Sequence, residues 1–136
     1  MRQIRSPWRW PAAAMLLANA VFHLILTPAH LDEAPYVGVL FLALSVVSIV
    51  LAAVLVIRDT AAAWAISGVV AFVAIIAFLV SRTIGLPQIG DDIGNWSEPL
   101  GFPALIVEAL TVAFAALALV KHSAPRPGRR HERTAP

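Results

Sequence analysis

The sequence predicts an all-α membrane protein, an antiparallel up-down bundle of four transmembrane helices with both termini cytoplasmic. Three observations carry this. First, 60% of the 136 residues are hydrophobic and 13% are charged, against about 45–50% and about 25% in soluble domains. Second, the apolar residues, with a mean hydropathy of +0.81 for the chain, are gathered into four stretches at residues 10–27, 36–57, 61–81 and 102–120. A helix needs about 20 apolar residues to cross a hydrocarbon core of about 30 Å, and each stretch meets or approaches that length. Third, nine of the ten Lys and Arg residues fall on one side of these stretches. The composition excludes a disordered chain, and the absence of cysteine excludes disulfide-stapled domains, Fe–S clusters and Cys-type zinc sites.

Taken in order, residues 1–9 form a basic cytoplasmic segment with Arg2, Arg5 and Arg9, and the first span follows at 10–27. A basic start before an apolar run also describes a signal peptide, whose cleavage would remove His23. Thr27-Pro28-Ala29 imitates the small-x-small cleavage pattern poorly, and the run is longer than a usual signal core. A first outer loop is expected from Pro28 to Pro35, because Pro disrupts a helix interior. The second and third spans contain no charged residue and are joined by Arg58-Asp59-Thr60 alone. So short a link forces an antiparallel hairpin. Ser48 with Ala52, and Ala63, Ser67 and Ala71, repeat small residues at four-residue spacing. Such stripes let helices approach closely in lipid.

A second outer loop, Gly85 to Phe102, is long and rich in Gly, and loops of that length are often functional. Pro103 opens the fourth span as a natural first helical residue. Residues 121–136 are rich in Pro and Arg, lack hydrophobic periodicity and are expected to be disordered. Nine of the ten Lys and Arg lie before the first span, in the 58–60 link or after the fourth span, with Arg82 alone opposite. The positive-inside tendency therefore places both termini in the cytoplasm of a multi-pass plasma-membrane protein. Trp8, Trp10, Tyr36 and Trp96 fall at the expected interfaces. The basic tail is expected to attract anionic lipid. With no aromatic residue interleaved to stack on bases, it is not read as a nucleic-acid site.

No phosphate-loop, serine-hydrolase, zinc-protease or redox motif occurs, so no catalytic residue is assigned. No internal repeat is found, which weakens an inverted-repeat transporter. The informative residues are polar groups inside apolar spans. Glu108 lies five residues after Pro103, and a carboxylate at mid-membrane costs about 2.5–3.5 kcal/mol on insertion scales. It must be protonated, paired or hydrated. His23 lies in the outer half of the first span, at a similar depth. Asn19 shares its helix face four residues earlier, and His30 continues that stripe if the helix survives Pro28.

His30 and Glu33, three apart, are spaced to reach one ligand, while Arg82 and Glu98 end the third span and precede the fourth. Together His23, His30, Glu33, Arg82, Glu98 and Glu108 form an expected outer polar site that binds a metal cation or a proton. The histidines would supply nitrogen ligands or accept protons, and Glu33, Glu98 and Glu108 would supply oxygens. Arg82 would be the counter-charge. Zinc, copper, iron or manganese would each accept such a donor set. A haem held by two histidines would need a second subunit, since both lie on one helix.

Two other readings use the same residues. In a structural or accessory membrane subunit, Arg82 pairs with Glu108 or Glu98, and His23 bonds Asn19 or Glu108, so that the network locks the helices. In a proton-coupled small transporter, His23 and Glu108 titrate. Trp96 and Asp92 belong to the long outer loop, where Trp96 serves as a cap on the bundle mouth or as an interfacial anchor. A homo-oligomer or a membrane partner is compatible with all three readings.

At His30-Leu31-Asp32-Glu33-Ala34-Pro35-Tyr36, followed by Gly38 and Phe41, and at Ser81-Arg82-Thr83-Ile84-Gly85-Leu86-Pro87, the chain resembles a group of small bacterial integral membrane proteins of uncharacterised function. These carry an outer HLxEAP-type loop and an SRTxGLP-type end to the third span. The resemblance implies four spans, and acidic residues where Glu98 and Glu108 stand. It implies no activity.

Overall fold

Four long helices make up almost the whole structure, a computed structural model that describes residues 4–123. They are α1 (Arg9–Glu33), α2 (Pro35–Ile57), α3 (Ala61–Thr83) and α4 (Gly101–Ser123), with one short 3-10 turn at Gly90–Asp92. No β-strand occurs among the described residues. All four helices are long and apolar enough to cross a membrane. The tail expected to be disordered lies, from residue 124 onward, outside the described residues; residues 121–123 belong to α4.

The expected first loop is not a loop. α1 runs through Pro28 to Glu33, and Ala34 alone separates it from α2. Pro28 deprives the Leu24 carbonyl of its amide donor, but side chains bond the helix backbone on either side of that gap. Thr27 Oγ1 donates to the His23 carbonyl at 2.7 Å, and His30 Nδ1 donates to the Leu26 carbonyl at 2.9 Å. Such local bonding is how apolar helices tolerate proline. The chain turns instead at Ala34, whose φ of −143° and ψ of 86° suit the residue before a proline, and Pro35 then starts α2. Gly38 makes the corner possible. A Cβ there would lie 2.8 Å from the Leu31 backbone nitrogen.

Each helix packs on two others around a ring, α1 on α2 and α4, and α3 on α4 and α2. The α1–α2 and α3–α4 pairs are extensive, whereas α2 and α3 touch least. They meet at the 58–60 turn, where Leu16, Leu51, Leu55 and Trp64 join Ala12, Ala63, Ala115 and Ala118 in the main apolar core. Toward the other end they diverge. The bundle is thus tightly packed at the end carrying both termini and open at the end carrying the 84–100 loop.

The burial pattern is inverted relative to a water-soluble bundle. Ser45, Ser48, Ser67, Thr111, Asn19, His23 and Glu108 are buried, while Val39, Val46, Val69, Phe72, Val73 and Ile106 are exposed. Large apolar residues facing outward around every helix are what lipid surroundings favour. The small-residue stripes at Ser48, Ala52, Ala63, Ser67 and Ala71 are all buried inside the bundle.

Asp59 fastens the packed end. Its φ of 44° is left-handed, a conformation Asp tolerates better than most residues. Its buried carboxylate accepts from the Ser6 amide and from Trp64 Nε1, each at 2.7 Å, and Arg9 Nη1 lies 3.8 Å away. Its own carbonyl accepts from the Ile4 amide at 2.7 Å. One turn residue therefore holds the N-terminal segment and the start of α3 together.

Candidate functional site

The open end contains a cavity of about 380 Å³. Its back wall comes from α1 and α4, through His23, His30, Ala104 and Glu108, and its sides from α2 and α3, through Phe41 and Phe78. Exposed Leu40 of α2 and Val69 and Val73 of α3 stand at its margin, where the two helices part.

Helix periodicity brings the histidines here. His23 and His30 are seven residues apart, two turns on one face, because α1 continues past Pro28. Each ring donates Nδ1–H to the carbonyl four residues earlier, His23 to Asn19 and His30 to Leu26, both at 2.9 Å. That bond fixes the tautomer of the neutral ring and leaves Nε2 as the remaining polar atom. Phe41 contacts both rings, at centroid distances of 4.8 Å and 4.7 Å. Across the wall, His23 Nε2 lies 3.9 Å from Glu108 Oε1. Glu108 is 3% exposed and makes no hydrogen bond among the described residues.

Below this pair, hydroxyls and amides link the helices. Asn19 Nδ2 donates to Ser48 Oγ at 3.3 Å, and Ser45 Oγ lies 3.2 Å from the Ala20 carbonyl of α1. Asn19 Oδ1 is buried without a partner.

Comparison with protein-family models, curated proteins and solved structures finds no match for this chain.

The second polar group forms a roof. Arg82, 3% exposed at the end of α3, pairs with Asp92 at 2.5 Å and with Glu98. Its guanidinium also stands 5.0 Å from the centre of the Phe78 ring. Ser81 Oγ donates to Asp92 Oδ2 at 3.0 Å, and the Arg82 carbonyl accepts from the Gly94 amide at 2.9 Å. The loop is thereby drawn back over α3. Gly85, with φ of 87°, takes the left-handed turn that ends α3. On the other side Ile89 is buried with Ala34 and Val37, and Tyr36 Oη donates to the Pro87 carbonyl at 2.8 Å. The loop closes the top of the bundle by bridging from α3 to the α1–α2 corner.

Several expectations are corrected by this geometry. Of the two partners expected for Arg82, Glu98 pairs with it, joined by Asp92, and Glu108 does not. His30 and Glu33 do not converge. His30 is buried on the inner face of α1, whereas Glu33 ends the helix exposed. Three residues span 300° on a helix, so the pair straddles the boundary between the buried and exposed faces. Glu98 belongs to the roof with Arg82, apart from the His23–Glu108 contact. Trp96 is half-exposed and meets Phe78 edge-on at 6.2 Å, so it touches the cavity wall without entering it. Among the described residues no three His, Asp or Glu side chains converge as a metal-ion site.

Proposed function

We propose that this chain is a small multi-pass membrane protein whose outward-facing half holds a proton-binding cavity centred on His23 and Glu108. The observation that carries the reading is the approach of His23 Nε2 to Glu108 Oε1, 3.9 Å apart in the cavity wall. Since His23 Nδ1–H is committed to the Asn19 carbonyl, any exchangeable proton resides on Nε2 or on the carboxyl. One proton suffices for either a neutral imidazole with a carboxylic acid or an imidazolium with a carboxylate. Both forms carry no net charge, which is the condition under which ionisable groups persist inside a membrane at tolerable cost. Adding or removing a proton leaves an uncompensated charge against an apolar wall, so the two groups titrate as one unit.

The one-sided basic residues support insertion with both termini in the cytoplasm, which puts the Arg82 roof and the cavity in the outer half. A plasma-membrane location follows from the same reading. The donor set extends to a transition metal only if His30 and a further carboxylate move toward the pair, so the proposal is made for a proton. The helix-locking reading is favoured by one observation, the engagement of Arg82 by two carboxylates from the 84–100 loop. In this reading the lock belongs to the roof, and the His23–Glu108 pair is available for binding.

Infrared spectroscopy of the detergent-purified protein tests this. The expected result is a protonated-carboxyl band that titrates, disappears in Glu108→Gln and changes its midpoint in His23→Phe. A band indifferent to both substitutions would refute it. Elemental analysis after purification without chelator or His-tag tests the metal alternative, which a stoichiometric transition metal lost in His23→Ala would establish.

A further inference from the structure

The wall of the cavity holds more hydrogen-bonding capacity than the chain uses. His23 Nε2, His30 Nε2 and the Glu108 carboxyl form no hydrogen bond among the described residues, although all three side chains are buried and line the cavity. They open on the cavity, and in an apolar surrounding a polar group without a partner is costly, so these atoms call for a guest that can both donate and accept. Apart from Ser81, Arg82, Asp92 and Glu98 at the roof, the remainder of the wall is aliphatic and aromatic. That combination, an apolar cleft with a few convergent polar groups and a volume within about 300–1,000 Å³, is characteristic of small-molecule sites.

The way in is equally informative. The loop covers the top through Ile89, Tyr36 and the Arg82 pairs, and the packed core closes the bottom. The open margin lies between α2 and α3, where Leu40, Val69 and Val73 are exposed. A guest therefore enters from the lipid side. Its head group carries no negative charge, since among the described residues Arg82 is the one Lys or Arg in the wall and already has Asp92 and Glu98 on it.

We propose that the cavity binds one uncharged lipid bearing a hydroxyl or carbonyl head group. The head lies against His23, His30 and Glu108, and the chain leaves between α2 and α3. The inference rests on the membrane reading above and is independent of whether the His23–Glu108 pair titrates.

Native mass spectrometry of the full chain in mild detergent tests it with four probes: a decyl-substituted benzoquinone, a monoacylglycerol, phosphatidic acid and an alkyl-trimethylammonium. The expected result is a one-to-one adduct with both uncharged probes, held at least about tenfold more tightly than either charged one. Val73→Trp places bulk at the exposed margin without touching a polar group. It is expected to weaken the adducts by about tenfold or more while the unfolding midpoint stays unchanged. Glu108→Leu is expected to weaken them similarly, and Glu108→Gln, which still donates and accepts, to hold them within about threefold.

Absence of adducts with both uncharged probes, a charged probe bound equally well, or adducts indifferent to Val73→Trp would each overturn the proposal. The infrared and mass-spectrometric assays together separate the two readings. Adducts kept without a titrating infrared band in the native protein sink proton binding alone, and a titrating band without adducts sinks lipid binding alone.

Discussion

Asp59 provides the sharpest quantitative test of how this bundle is held, because its side chain and its backbone make separable demands. The carboxylate takes two buried donors, the Ser6 amide and Trp64 Nε1, and Trp64 itself is 0% exposed. Asp59→Ala leaves both donors without an acceptor, at about 1–3 kcal/mol each. It also places a β-carbon-bearing residue without a compensating side chain at φ of 44°, which adds about 1–2 kcal/mol. The expected loss is thus about 3–8 kcal/mol.

Asp59→Asn keeps the tolerance for a left-handed backbone and one acceptor oxygen, so it forfeits a single bond, about 1–3 kcal/mol. Asp59→Gly loses both bonds but not the backbone fit, and falls between them. Arg9 is about a third exposed at 3.8 Å, and Arg9→Gln is expected to cost under about 1 kcal/mol. Reversible unfolding in mixed detergent micelles, followed by tryptophan fluorescence, reads these differences directly. The order native, Asn, Gly, Ala is expected. Asp59→Ala within about 0.5 kcal/mol of the native protein, or equal to Asp59→Asn, would refute the reasoning.

Other consequences follow from the open end. Gly38→Ala forces a methyl group to 2.8 Å from the Leu31 nitrogen and is expected to cost about 1–3 kcal/mol in the same unfolding assay. Arg82→Met leaves Asp92 and Glu98, each about one-fifth exposed, without their counter-charge. With that exposure discounted, the loss is about 2–3 kcal/mol. Limited proteolysis within residues 84–100 should quicken, and an unchanged cleavage pattern would show that the pairs do not hold the roof. Tyr36→Phe removes an exposed bond to the Pro87 carbonyl. Faster hydrogen exchange at residues 86–89 is expected, with global stability changed by less than about 1 kcal/mol.

Parts of the site were legible in the sequence because helical spacing is local. Asn19, His23 and His30 had to share a face if α1 stayed helical, and Glu108 stood out because a carboxylate within an apolar span needs a reason to be there. The continuation of α1 through Pro28 was not legible, since it relies on Thr27 and His30 bonding back to the helix. The role of Asp59 was not legible either. In the sequence it is one acidic residue in a short link, and nothing there shows that Ser6, Trp64 and Arg9 close around it. The one local signal is the shortness of the link, which favours a left-handed residue that Asp accommodates.

The sequence by itself determined four long apolar helices, their limits to within a few residues except at the end of α1, which runs on through Pro28 to Glu33, their antiparallel order and the identity of the polar residues within them. Those properties are sums of local terms, hydropathy and spacing along one helix. The tertiary structure decided which way each helix faces and how far apart neighbours stand. It gave Arg82 to Asp92 and Glu98 rather than to Glu108, turned Glu33 outward, and parted α2 from α3 to open a cavity. Rotation and separation come from packing between helices, and a one-dimensional pattern contains no term for them.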